Sequence, residues 1–234
     1  MDEKFAPYIR SMISAAIERI SFGRLTARQA AYAALALVYL FFCWLMMRIT
    51  LQYVPISTDV AFLRIKQDYI GMTHYQTAFF VHVFTAIAVL PAGLTQFSRY
   101  IRKHYRNVHR GAGYVYAVAV VLLAGPSGFV IGIYANGGLS SQIAFCLLAA
   151  LWVYFTIKAV QTIRSKKVGE HRRWMIRSFA LALSAITLRA WKYAIVAALE
   201  PRPMDVYVVV AWLGWVLNLV VAEYIIYRRY GYGA

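Results

Sequence analysis

Eight side chains of this chain carry chemistry inside or at the ends of strongly apolar runs: His82, His109, His171, Arg177, Arg189, Lys192, Asn218 and Glu223. In hydrocarbon such groups are costly, and they turn toward a partner, a cavity or a cofactor. The densest stretch is "GEHRRWMIRS", residues 169–178, with His171, Arg172, Arg173, Trp174 and Arg177; "VHRGAG" sets His109 beside Arg110. Two imidazoles ringed by guanidiniums match what a b-type haem needs, axial nitrogens for iron and cations for its propionates. The expected ligands are therefore His109 and His171, the propionate contacts Arg110, Arg172 and Arg173, and the packing surface Trp174. At the helical rise of about 1.5 Å per residue, His82 and Arg189 form a second polar layer, about 10 and 13 Å in from the opposite surface.

Elements long enough to position these groups are plain in the composition. Of 234 residues, 62% are hydrophobic and 15% charged, and the mean hydropathy is +0.57. Crossing a hydrocarbon core of about 30 Å takes roughly 20 helical residues. Six runs qualify, at 30–47, 75–97, 109–134, 141–163, 172–198 and 206–227. The expected fold is all-α, a polytopic membrane bundle of six transmembrane helices with an N-terminal amphipathic interfacial helix. Residues 5–20 supply that helix, since Ile9, Met12, Ile13, Ala16, Ile17 and Ile20 recur at helical spacing. Residues 1–29 then form a cytoplasmic interfacial segment, and 30–234 the transmembrane domain.

A net charge of +16 would suggest nucleic acid in a soluble protein. Here the basic residues gather in alternate connections, 17 on one side of the six crossings against 4 on the other. Orientation explains them, with both termini cytoplasmic in a bacterial inner membrane, and no nucleic-acid partner is expected. No signal peptide is evident, and Cys43 and Cys146 lie in separate apolar runs, so no disulfide is expected. The connection 48–74 is the longest and mixes apolar with charged residues, which predicts a short surface helix; "YANGGLSS" predicts a tight turn. In "AGPSGFVIG", Pro126 among Gly125, Gly128 and Gly132 predicts a kink and close packing, with a ligand notch as the alternative.

The residues "FFVHVFTAIAVLPAGLTQFSR", "RNVHRGAGYVY", "GGLSSQIAFCLLAALWVYFTIKAVQTIR" and "HRRWMIRSFALALSAITLRAW" resemble a family of bacterial predicted integral membrane proteins defined as a domain of unknown function. That resemblance implies an α-helical membrane bundle and no particular activity. More loosely, histidines on successive helices are similar to the cytochrome b561 class, which implies haem.

Three functions stay open at this level. One is electron transfer with haem b or a quinone at the His109–His171 layer. A second is binding of an anionic lipid or small anion by the same arginines. A third is an accessory subunit of a larger membrane complex. Hydrolytic catalysis is the least supported: H-E-x-x-H, G-x-S-x-G and P-loop patterns are absent, and the chain has only nine acidic residues.

Overall fold

The computed structural model describes residues 27–231 and contains only helices and connections among them. The amphipathic helix expected at 5–20 lies outside the described residues. By internal contacts the chain divides between Phe42 and Cys43. The first crossing is α1 (Ala27–Leu51), few of whose side chains are buried. Next comes a 3-10 turn, Ala61–Lys66, running into the short α2 (Gln67–Ile70), the surface helix expected in the long connection. Then follow α3 (Thr73–Phe97), the short α4 (Arg99–His104) and α5 (Arg106–Ile133). After the turn come α6 (Gly138–Arg164), α7 (Val168–Ala182), α8 (Ser184–Leu199) and α9 (Pro203–Tyr230). Among the described residues five helices are long and apolar enough to cross a membrane alone, and counting the bent pair α7 and α8 as one span brings the number to six.

Neighbouring crossings pack as hairpins, α3 on α5, α5 on α6, α6 on α7 and α8 on α9. Val89, Tyr116, Val120, Trp152, Met175, Leu181 and Trp215 form the central core. Within it, Tyr116 Oη lies 2.8 Å from Ser178 Oγ, and Ser178 Oγ lies 2.7 Å from Thr156 Oγ1. Tyr116 Oη also accepts a bond from Trp152 Nε1–H at 3.4 Å. These buried groups satisfy one another, as hydrocarbon requires. A second cluster, Tyr53, Leu63, Tyr75 and Phe79, closes the end of the bundle opposite the basic connections.

Two crossings are irregular, and each irregularity has a visible cause. In α5, residues Ala119–Ala124 form a π-helical turn just before Pro126. Proline lacks the N–H for the carbonyl four residues back and its ring presses on that carbonyl, so the widened turn makes room. Gly125 closes it by donating its N–H to Val120 O. A Cβ on Gly125 would sit 2.4 Å from Val120 O and 2.3 Å from Val153 Cγ2, so the turn admits only glycine.

The fifth crossing, expected as one helix over 172–198, is instead broken at Leu183 and bent by 42° between α7 and α8. It contains no proline or glycine at the break; the cause lies on α9. Asn218 Nδ2 donates among Ala180 O, Thr187 Oγ1 and Gly214 O, 2.9–3.0 Å away. Ala180 O is the carbonyl an unbroken helix would pair with Ser184 N–H. A side chain from a neighbouring helix thus takes over a backbone partner, which is how membrane helices tolerate a break.

Replacing Gly125 by Ala is expected to cost roughly 1–3 kcal/mol, because the methyl meets backbone that cannot step aside. Gly111→Ala, with nothing within 4 Å of its Cβ site, is expected to be neutral or mildly stabilising. Thermal unfolding in detergent checks both; equal melting of the two variants would show that the π-turn does not demand glycine.

Candidate functional site

The larger cavity, about 480 Å³, lies at the end away from the basic connections, walled by the end of α1, the 3-10 turn, α3, α5, α6, the end of α7, α8 and α9. Most of its wall is apolar or aromatic, including Phe62, Tyr75, Phe79 and Trp152. Two intramembrane groups singled out by sequence, His82 and Arg189, line it together. Its wall also carries Tyr53, Lys66, Lys192 and Tyr207, and no carboxylate.

His82 sits in the third turn of α3. Its Nδ1 lies 2.8 Å from Ala124 O, next to the π-turn. A carbonyl can only accept, so Nδ1 carries the proton and neutral His82 presents Nε2 as an acceptor. Among the described residues nothing is hydrogen-bonded to Nε2. Room for the ring comes from Gly128, whose Cβ would fall 3.0 Å from His82 Cε1 and Nδ1. The small residues of "AGPSGFVIG" therefore serve packing at Gly125 and a side-chain notch at Gly128.

Arg189 lies one and a half turns beyond the break, partly buried on α8. Its Nη1–H donates to Ala185 O at 2.6 Å. Ion pairs among the described residues join Arg64 to Asp59, Lys167 to Glu170, Arg177 to Glu223 and Arg202 to Asp205. Arg189 has no such carboxylate, and its charge reaches both His82 and Tyr53.

Lys66 and Tyr53 were not singled out by sequence. Lys66 is almost wholly buried, donates to Tyr134 O and Asn136 Oδ1, and lies 5.2 Å from the Tyr69 ring centroid. It thereby ties the 3-10 turn to the α5–α6 connection over the cavity. Burial pushes its ammonium down to about 8, with the charge of Asp68 pulling the other way. Burial pushes the Tyr53 phenol up, against the Phe62 N–H it accepts and the Arg189 charge. A signal existed in Leu63 and Lys66, three apart, which eclipse on a 3-10 turn and both point inward.

At the basic end, a smaller pocket of about 300 Å³ is lined by Glu170, Arg173, Trp174, Arg177, Glu223 and Tyr227, among others. Arg177 Nε–H and Nη2–H donate to Glu223 Oε1 and Oε2 at 2.5 and 2.8 Å, the pairing that matched depth suggests. Its guanidinium lies 4.8 Å from the Trp174 ring centroid, while Phe155 packs on the same indole at 5.7 Å. Arg110 and Arg172 are exposed. His171 Nδ1 lies 2.8 Å from Ala159 O. His109 Nδ1 is buried with no hydrogen-bond partner, and His109 lies within electrostatic reach of His171. Neither histidine lines either pocket, so the structure joins Arg173 and Trp174 in one pocket and leaves His109 and His171 outside it. Among the described residues no group of three or more His, Cys, Asp or Glu side chains is placed to hold a metal ion.

Lys66 gives a pH dependence with a definite sign. Between about pH 8 and its ordinary value of 10.5, the unfolded chain holds the proton that the folded chain has lost. Stability from this group therefore rises with pH across that window and is smallest below it. The melting temperature of the wild-type protein relative to Lys66→Met is expected to climb from pH 7 to 9.5; a difference independent of pH would rule this out.

No curated protein and no solved structure matches the chain, so the looser similarity to cytochrome b561 gains no support. The sequence model of a family described as "Predicted membrane protein (DUF2306)" matches residues 79–226, from α3 to α9. The match takes in His82, His109, His171, Arg189 and Glu223 and leaves out Tyr53 and Lys66. It covers more than half of the sequence, and the chain accordingly belongs to this family of multi-pass membrane proteins of unknown function.

Proposed function

We propose that the protein binds an anionic amphiphile in the 480 Å³ cavity, its acidic head on Arg189 and its tail along the apolar wall. One observation carries this reading: a guanidinium inside a membrane bundle, with five donors, one internal hydrogen bond at 2.6 Å and, among the described residues, no ion pair with a carboxylate. Burying a charge in low dielectric is costly unless a counter-charge offsets it, and here the ligand supplies that counter-charge. Lys66 and Lys192 on the same wall add to the positive potential. The basic end is a poorer site for such a ligand. Arg177 is already neutralised by Glu223, and Arg110 and Arg172 face outward, where they orient the helices and meet lipid phosphate without a shaped pocket. By the positive-inside rule the cavity belongs to the outer leaflet.

A charge-assisted hydrogen bond is worth about 1.5–3 kcal/mol, and 1.4 kcal/mol is about tenfold in affinity. Protein purified in mild detergent is therefore expected to carry an anionic amphiphile that Arg189→Gln loses by about tenfold or more, and that Arg172→Ala retains. Mass spectrometry of extracted lipid reads the outcome. Equal retention by the Arg189 variant would overturn the assignment.

A second reading is favoured by His109 Nδ1, a buried nitrogen with no partner, close to a His171 whose Nε2 is also without a hydrogen bond among the described residues. These are the atoms that a b-type haem would use for electron transfer, with Arg110, Arg172 and Arg173 as the cations of the same end for its propionates. Protein from haem-replete cells would then show a Soret band that His109→Ala and His171→Ala each abolish. A folded, colourless preparation would dispose of it.

A further inference from the structure

The same cavity narrows the ligand class, on the reading that Arg189 holds an acidic head. We propose that this head is a phosphate monoester on an apolar chain, bound with its P–OH toward His82 Nε2 and its anionic oxygens toward Arg189.

Arg189 can only donate and always carries its charge. His82 cannot be a second fixed donor in its neutral state. Its proton is held on Nδ1 by Ala124 O at 2.8 Å, and the ring, seated in the Gly128 notch, is part of the cavity wall, so Nε2 is the acceptor it offers there. A complementary head must therefore offer one acidic hydrogen and at least one anionic oxygen at once. An ionised carboxylate has the charge and no hydrogen. A phosphodiester is the same. A neutral quinol has hydrogens and leaves Arg189 without a counter-charge. A phosphate monoester, with a second pKa near 6, carries both a P–OH and P–O⁻ as the monoanion. If the proton crosses to Nε2, the pair becomes imidazolium and phosphate dianion; the same single proton is shared, and the contacts remain satisfied.

Charge on the wall points the same way. Lys66, Arg189 and Lys192 line the cavity with no acid opposite them, which suits a head whose charge lies between one and two. The rest of the wall, with Phe79, Ile87, Leu148 and Trp152, offers a chain only dispersion and hydrophobic contact.

Titration calorimetry in a neutral detergent tests this with dodecyl phosphate, its methyl diester, dodecanoate and inorganic phosphate. Wild-type protein is expected to bind dodecyl phosphate at least about tenfold more tightly than the diester or dodecanoate. His82→Phe should reduce that preference below about threefold, and Arg189→Gln should weaken all three amphiphiles. The preference in unaltered protein needs no variant, so a His82 variant that fails to fold does not remove the test. Equal binding of all three amphiphiles, still dependent on Arg189, would overturn the phosphate monoester and keep the anionic-amphiphile reading. Failure of every amphiphile to bind would overturn both. Competition by inorganic phosphate as strong as by dodecyl phosphate would overturn the requirement for an apolar chain.

Discussion

Inside a bilayer every backbone N–H and C=O must find its partner within the protein, and the irregular parts of this bundle are where that constraint is met by side chains. At the π-turn of α5, Gly125 N–H reaches back to Val120 O, and Ala124 O gains the His82 imidazole as an additional donor. At the break after α7, Asn218 takes Ala180 O, while Thr187 Oγ1 turns to Leu183 O and Gly214 O. Both repairs lie beside the cavity. The first fixes the tautomer of His82, and the second redirects the chain by 42° before α8 delivers Arg189. The site is thus a by-product of how two crossings deal with disrupted backbone, which places its two polar groups on rigid, over-determined elements.

The two intramembrane arginines show how context decides what a charge does. Arg177 meets a carboxylate in a bidentate contact and lies over Trp174, so its charge is spent internally. This partly exposed pair ties α7 to α9, and its net contribution to stability is small, since solvent reaches the carboxylate and screens the attraction. Arg189 has one carbonyl and no counter-ion, so nothing in the described residues offsets its desolvation. The two stand twelve positions apart on the same bent helix pair, and among the described residues only the first meets a carboxylate.

Much of this was legible in the sequence. The six apolar runs, the alternation of basic connections and the pairing of Arg177 with Glu223 follow from length, charge and depth, which are one-dimensional quantities. So does the common level of His82 and Arg189. What could not be read was set by other segments. The break at Leu183 is caused by Asn218, 35 positions away and on another helix, and nothing local marks it. Lys66 looks like its exposed neighbour Arg64 until the 3-10 turn rotates it inward beside Leu63. Trp174 was available on paper for a macrocycle; in the fold its faces are occupied by Arg177 and Phe155. Periodicity assigns a residue to a helix, whereas the face it shows to its neighbours depends on where the helix bends.

The middle of the bundle sets a further limit on mechanism. Trp152 forms part of the cavity wall and donates its indole N–H to Tyr116 Oη, which is closed off in turn by Ser178 and Thr156. These groups satisfy one another and are buried, and the two pockets share no lining residue. The inner wall of the cavity is therefore apolar and internally bonded instead of a polar route to the basic end. Passage of a charged head through the bundle would require breaking that hydroxyl cluster, each lost bond leaving a polar group unpaired at about 1–3 kcal/mol.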